Sequence, residues 1–186
     1  MGLGADSDIQ RNPQPLAVLL RRTPWGENGT CFKESGYLTS PYVLMENNCV
    51  EAEAGHVIML MRAQGCTELY RSDSFDYGET WQDAYPCGIP SASSKITLLS
   101  RRGKILLIHN ACEEKESMEG RKNLSIWVSE DGMHSWSTKY KLLAQDESMF
   151  YPHAFLDEER KAVYIACENT RQSYCLRVPF SELWDE

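Results

Sequence analysis

Long apolar runs are missing from this sequence of 186 residues. The longest, Leu16 to Leu20 and Val57 to Met61, are far shorter than the roughly 20 residues needed to span a bilayer, so we expect no membrane span. A basic stripe is missing too, and the net charge of −8 argues against a nucleic-acid partner. The first residues lack the pattern of a secretion signal, so we expect a cytoplasmic protein, or a secreted one whose signal peptide was removed.

Cysteine pairs of the metal-binding kind are also missing. The seven cysteines form no Cys-x-x-Cys pair and show no zinc-site spacing. Their number is odd, and free cysteine is among the most buried residue types, so we expect buried thiols rather than disulfides. The sequence therefore predicts neither a metal nor an organic cofactor.

Helical periodicity is scarce, whereas short apolar runs broken by Gly, Pro, Asn, Asp and Ser recur along the whole chain. Gly103 ends a polar connector between two such runs, which is typical of a β-hairpin. The sequence thus predicts an all-β protein. The predicted strands include 95–99, 104–109, 124–129, 154–156, 162–167 and 174–180, the last ending at Pro179.

An eight-residue pattern, Ser-x-Asp-x-Gly-x-Thr-Trp, is complete at 74–81 and looser at 129–136. The second copy has Gly one position early and Ser135 in place of Thr. In such a turn the Asp carboxylate accepts hydrogen bonds from amides and hydroxyls, Gly permits a left-handed backbone, and Trp packs against the turn. We therefore interpret both copies as structural turns that perform no chemistry.

These motifs are Asp-boxes, and over roughly residues 40 to 180 the chain resembles the sialidase family. The boxes begin at Ser74 and Ser129, 55 residues apart, which divides residues 1–186 into about three four-stranded blades. The resemblance implies part of a six-bladed β-propeller, with the boxes on outer turns remote from substrate. An open part-ring leaves apolar faces, so the other blades come from a longer chain or from self-association.

The resemblance also implies a set of site residues. Glu51 precedes a Gly turn and Arg62 closes the next strand, Arg121 opens the strand that leads to the second box, and Tyr151 follows it. Arg62 and Arg121 would hold a substrate carboxylate by paired, charge-assisted hydrogen bonds. Tyr151 would be the nucleophile, with Glu51 as the base that takes its proton.

Each of these residues has a structural alternative. Arg62 and Arg121 could be strand ends paired with nearby acids, and Tyr151 could pack between blades. Glu51 could be an exposed turn carboxylate, and Glu53 competes with it for the role of base. The histidines His109 and His153 are interpreted as structural.

One part of the family pattern is missing. No Phe/Tyr-Arg-Ile-Pro segment, the source of the family's first Arg, occurs in the sequence, and no general acid is assigned. The first hypothesis is a sialidase-like, retaining exo-glycosidase for terminal sialic acid or a similar acidic sugar. The alternatives are a non-catalytic glycan-binding module, a propeller that acts on polysaccharides of another acidic sugar, and a scaffold for protein association.

Overall fold

The computed structural model describes residues 37–112, 120–142 and 148–184, together with the backbone of residues 14–15. Its secondary structure is almost entirely antiparallel strand, as the apolar pattern predicts. A two-stranded ladder joins β1 (Gln14–Pro15) and β2 (Tyr37–Leu38). A short 3-10 helix, Phe180–Glu182, follows the last described strand.

The other strands form three consecutive up-and-down sheets, in which each strand pairs with its neighbours in the chain. This arrangement confirms the prediction of an all-β protein built from about three blades. The third blade has three strands among the described residues. The first blade contains β3 (Leu44–Glu53), β4 (His56–Ala63), β5 (Glu68–Ser74) and β6 (Tyr85–Pro90); the second contains β7 (Thr97–Arg101), β8 (Lys104–Asn110), β9 (Leu124–Ser129) and β10 (Thr138–Lys141); the third contains β11 (Phe150–Asp157), β12 (Ala162–Glu168) and β13 (Ser173–Pro179).

The blades pack face to face, and the second blade is buried on both faces. Along β8 the side chains alternate, so that Ile105 and Leu107 pack toward the first blade while Leu106 and Ile108 pack toward the third. All four are at most 1% exposed, and each fully buried aliphatic side chain contributes about 1.5–3 kcal/mol. Because the first strands β3, β7 and β11 are neighbours, their starting ends lie at one edge of the assembly.

The predicted hairpins are confirmed. Arg101 pairs with Lys104, and the two turn residues Arg102 and Gly103 have φ of 50° and 79°. This two-residue turn with positive φ at both positions matches the right-handed twist of the flanking strands. The second hairpin, β11 to β12, closes where Asp157 pairs with Ala162.

Both Asp-boxes connect the third strand of a blade to the fourth. In the first box, the Asp76 carboxylate accepts hydrogen bonds from the Thr80 amide at 2.8 Å and from the Thr80 hydroxyl at 2.6 Å. In the second box, Asp131 accepts the equivalent bonds from Ser135 at 2.9 and 2.6 Å. Ser therefore replaces Thr without loss of the hydroxyl contact.

The backbone of the two turns explains why the glycine can shift by one position. Each turn has two successive residues with positive φ, Tyr77 (60°) and Gly78 (85°) in the first box, and Gly132 (68°) and Met133 (65°) in the second. One glycine in either place removes half of the steric cost. The looser sequence of the second box therefore encodes the same turn.

The cysteines in the described part of the chain are free thiols, as the sequence predicts, and Cys31 lies outside it. Burial raises the pKa of Cys49, Cys87 and Cys167 to about 11. These thiols are therefore protonated at neutral pH and behave as small apolar side chains.

Candidate functional site

Three of the four predicted site residues lie at one edge of the blades, where the first strands begin. Arg62 is near the end of β4, opposite the start of β3. Arg121 precedes β9, and Tyr151 is the second residue of β11. This edge is opposite the Asp-box turns, because alternate strands of a meander run in opposite directions.

Arg62 forms an ion pair with a residue that the sequence reasoning missed. Its NH1 donates to Glu46 Oε2 at 3.0 Å, and the Arg62 side chain is 9% exposed against 29% for that of Glu46. Glu46 lies in a β-bulge, between the paired residues Met45 and Asn48. Bulges of this kind re-aim side chains next to functional sites.

Arg121 lies over the aromatic rings at the start of β11. Its guanidinium carbon is 4.8 Å from the centre of the Tyr151 ring and 5.2 Å from that of Phe150. Arg121 is 6% exposed, and a guanidinium over an aromatic face gains about 0.5–2 kcal/mol, most when it is desolvated. The contact fixes Arg121 relative to Tyr151.

Ser93 connects the two arginines. The Arg62 Nε donates to the Ser93 hydroxyl at 3.1 Å, and Arg121 NH2 donates to the Ser93 carbonyl at 3.2 Å. Ser93 lies in the connection between the first and second blades and is 1% exposed. One residue therefore brings together guanidinium groups from two blades.

Asn110, at the end of β8, holds the segments that carry Arg121 and Tyr151. Its side-chain amide nitrogen lies 3.1 Å from the Arg121 carbonyl, 3.0 Å from that of Lys122 and 2.6 Å from that of Met149. The Met149 amide also donates to the Arg121 carbonyl at 3.0 Å. Asn110 is 1% exposed, so these polar contacts are shielded from water.

Backbone strain is concentrated at the same edge. Glu46, Ser93 and Tyr151 have φ of 51°, 50° and 55°, in the left-handed region that non-glycine residues seldom adopt. Tyr151, like Glu46, lies where the register of its strand pair shifts, between Phe150 and His153. Strained residues persist only where the surrounding structure holds them, and they cluster at functional sites.

Glu51, the carboxylate singled out by the sequence reasoning, is not brought together with Tyr151. It pairs with Val57 near the other end of β3, and its Oε1 accepts a hydrogen bond from the Gly55 amide at 3.0 Å. Five strand residues separate it from Glu46, a span of about 16 Å. Glu53 is two residues farther from the site than Glu51 and pairs with His56. The carboxylate that joins the arginines is instead Glu46.

The two histidines lie outside the site. His109 is fully buried against the edge of Trp127, with ring centres 4.7 Å apart, and burial lowers its pKa to about 3. His153 is exposed on β11. Neither contacts the Arg62, Arg121 and Tyr151 cluster through a described hydrogen bond.

Comparison with known proteins identifies the family. Residues 41–165, well over half of the chain, match the family model described as a BNR repeat-like domain. The chain therefore belongs to the BNR repeat-like domain family. A search of the curated proteins gave no match.

Solved sialidases have the same fold. The NanB sialidase from Streptococcus pneumoniae superposes with a TM-score of 0.63 at 16% identity, over 84% of this chain and 26% of that one. A leech intramolecular trans-sialidase gives 0.63 at 21% identity, over 85% and 26%. The Hadza microbial sialidase Hz136 gives 0.65 at 14% identity, over 84% and 31%. The chain thus folds as a sialidase-like BNR propeller and spans about a quarter to a third of these proteins.

Within the part of the chain that the structure describes, no helix is long and apolar enough to cross a membrane.

Proposed function

We propose that this chain is part of a sialidase-like glycosidase, a retaining exo-enzyme that removes terminal sialic acid or a similar acidic sugar. The observation that carries the proposal is the convergence of Arg62, Arg121, Glu46 and Tyr151 at one strained edge of the blades. Groups for anion binding, proton transfer and nucleophilic attack thus come from three successive blades.

The two arginines would bind the carboxylate of the sugar. A guanidinium is planar and always charged, and it matches a carboxylate by parallel hydrogen bonds. Arg62 and Arg121 are at most 8% exposed, and a charged hydrogen bond is stronger in such a shielded place than in water. The contacts to Ser93, Glu46 and Tyr151 orient them before substrate arrives.

Tyr151 would be the nucleophile and Glu46 its base. A phenol with an ordinary pKa of about 10 is a poor nucleophile at neutral pH unless a carboxylate removes its proton. In the first step, Tyr151 Oη bonds to the anomeric carbon, its proton passes to Glu46, and the leaving-group oxygen departs with the electron pair of the broken bond. Water then displaces Tyr151, and two inversions give overall retention.

The comparisons support sialic acid as the substrate class. The leech structure is a complex with 2,7-anhydro-Neu5Ac, prepared by soaking with 3′-sialyllactose. The chain covers about a quarter of that protein, so further blades would complete the ring and supply the general acid. Phe155, 57% exposed and stacked on Tyr164, lies on the open face of the third blade, where the next blade would pack.

Tyr151→Phe tests the nucleophile. The substrate is a sialoside with an aryl leaving group, which departs with little help from an acid, and the readout is fluorophore release. We expect turnover to fall by a factor of at least about 100, the usual scale for proton-transfer and nucleophilic groups. Mass spectrometry with a fluorinated sialosyl donor should find the covalent adduct on the peptide that contains Tyr151.

Three matched variants sharpen this test. Glu46→Gln should lower turnover strongly, whereas Glu51→Gln, at the other end of the same strand, should leave it within about twofold. Tyr140→Phe changes a 44% exposed tyrosine on an outer strand and should have no effect. Full turnover by Tyr151→Phe, or an adduct on another residue, would refute the assignment.

A second candidate function is a glycan-binding module. It is favoured by one observation: the two arginines are oriented by Ser93 and Glu46 within this chain, so a carboxylate could bind without a general acid. This function predicts saturable binding of N-acetylneuraminic acid without hydrolysis, weakened by Arg62→Ala. Hydrolysis that depends on Tyr151 would exclude it in favour of the enzyme.

A further inference from the structure

Ser93 makes a different kind of contact with each arginine of the candidate site. Its hydroxyl accepts from Arg62 Nε at 3.1 Å, whereas its backbone carbonyl accepts from Arg121 NH2 at 3.2 Å. The hydroxyl contact can be removed by substitution, whereas the carbonyl contact cannot. The two contacts are therefore separable by experiment.

The backbone of Ser93 is held from both blades. Ser91, two residues before it, donates its amide to the Thr67 carbonyl in the first blade at 2.9 Å. The Ala92 amide donates to the Asn110 carbonyl in the second blade at 3.3 Å. These anchors maintain Ser93 at a φ of 50°, a conformation that a free segment would leave.

The hydroxyl completes a two-point support of Arg62. Glu46 accepts from NH1 and Ser93 from Nε, so two different nitrogens of one planar group are fixed. With Glu46 alone, the guanidinium could turn about a single ion pair. The plane of Arg62, and its angle to Arg121, would then no longer be set.

We propose that Ser93 is a positioning residue, which fixes the spacing and relative orientation of the two guanidinium groups that receive the substrate carboxylate. This inference rests on the proposed function of the site. It assigns Ser93 no contact with substrate and no proton transfer. Its effect is exerted through Arg62 and Arg121.

Equilibrium binding of N-acetylneuraminic acid, measured by calorimetry, tests the proposal with three serine variants. Ser93→Ala removes the hydroxyl, and Ser93→Gly does the same while accepting the positive φ without strain. We expect both to bind about tenfold more weakly, because paired charge-assisted hydrogen bonds depend strongly on geometry. Ser94→Ala is the control: Ser94 is also 1% exposed, and its hydroxyl has no hydrogen-bond partner among the described residues, so affinity should stay within about twofold.

The outcomes separate this inference from the proposed function. If Arg62→Ala weakens binding while Ser93→Ala and Ser93→Gly bind like the wild type, Ser93 is not a positioning residue and the carboxylate site stands. If the wild type binds no better than Arg62→Ala, the carboxylate site is refuted, and the role of Ser93 is refuted with it. Equal losses in Ser93→Ala and Ser94→Ala would mean that the connection as a whole matters, which also overturns the proposal.

A spectroscopic readout tests the hydrogen bond without any ligand. The ¹⁵N-labelled Arg62 Nε–H group should give a protected NMR signal, identified by its loss in Arg62→Lys. Ser93→Ala should shift that signal and speed its exchange with water, whereas Ser94→Ala should leave it unchanged. An unshifted signal in Ser93→Ala would refute the positioning role whatever the binding data show.

Discussion

The buried histidine of the second blade makes a quantitative prediction about stability and pH. His109 is 0% exposed, and neither ring nitrogen meets hydrogen-bond geometry with a described partner. Burial lowers its pKa to about 3; the backbone of Pro90 opposes the shift and the Lys139 ammonium adds to it. The folded protein therefore keeps this imidazole neutral down to acid pH.

The sign follows from the direction of the shift. An exposed histidine in the unfolded chain has a pKa of about 6.5, so below that pH the unfolded state binds a proton that the folded state refuses. Stability is present above about pH 6.5 and is lost as the pH falls toward 3. Between pH 7 and pH 5 the loss assigned to His109 is about 2 kcal/mol.

His109→Leu removes this titration and keeps an apolar side chain in the same place. Because no described hydrogen bond is lost, we expect its free energy of unfolding at pH 7 to lie within about 1 kcal/mol of the wild type. Urea unfolding at both pH values should show that the wild type loses about 2 kcal/mol more than the variant between pH 7 and pH 5.

His134→Gln is the matched control, because His134 is exposed and its replacement should leave the pH dependence unchanged. Equal losses in the wild type and His109→Leu would refute the reasoning. So would an NMR titration of the folded protein that placed the His109 midpoint near the ordinary value for histidine.

Two further predictions concern hydrogen bonds of single side chains. Asn110→Ala removes the donor shared by three buried carbonyls and should lower the free energy of unfolding by about 2–3 kcal/mol; Asn47→Ala, which loses one long contact to sulfur, should cost less than about 0.5 kcal/mol, and equal urea midpoints would contradict this. The Thr80 hydroxyl, followed by its amide, lowers the pKa of Asp76 to about 2, and equivalent contacts lower that of Asp131. The stability they contribute is present above about pH 4 and is lost as the pH falls toward 2, so Asp76→Asn should show a shallower fall of Tm over that range, and parallel curves would contradict this.

Local features of the fold were predictable from the sequence because they depend on neighbouring residues. The turn at Arg102 and Gly103 and the strand from Leu124 to Ser129 are encoded in alternation and turn chemistry. The Asp-boxes were found for the same reason, since all their hydrogen bonds join residues at most four apart. The residue that connects the blades, Ser93, belongs to no such local pattern and was not found.

The choice between Glu46 and Glu51 shows why the site was harder to predict than the fold. Glu51 stands beside the Gly turn, and its distance from Arg62 along the chain looked suitable for a pair. A hairpin reverses that distance, because the strands separate residues near the turn from residues near the open ends by about 3.3 Å per position. Folding the segment about Ala54 and Gly55 brings residue 46 or 47, not 51, beside Arg62, and the observed pairing of Met45 with Arg62 and the bulge after it place Glu46 there. The partner of a functional residue on a hairpin is therefore better sought at the mirror position across the turn than at the nearest residue of suitable chemistry.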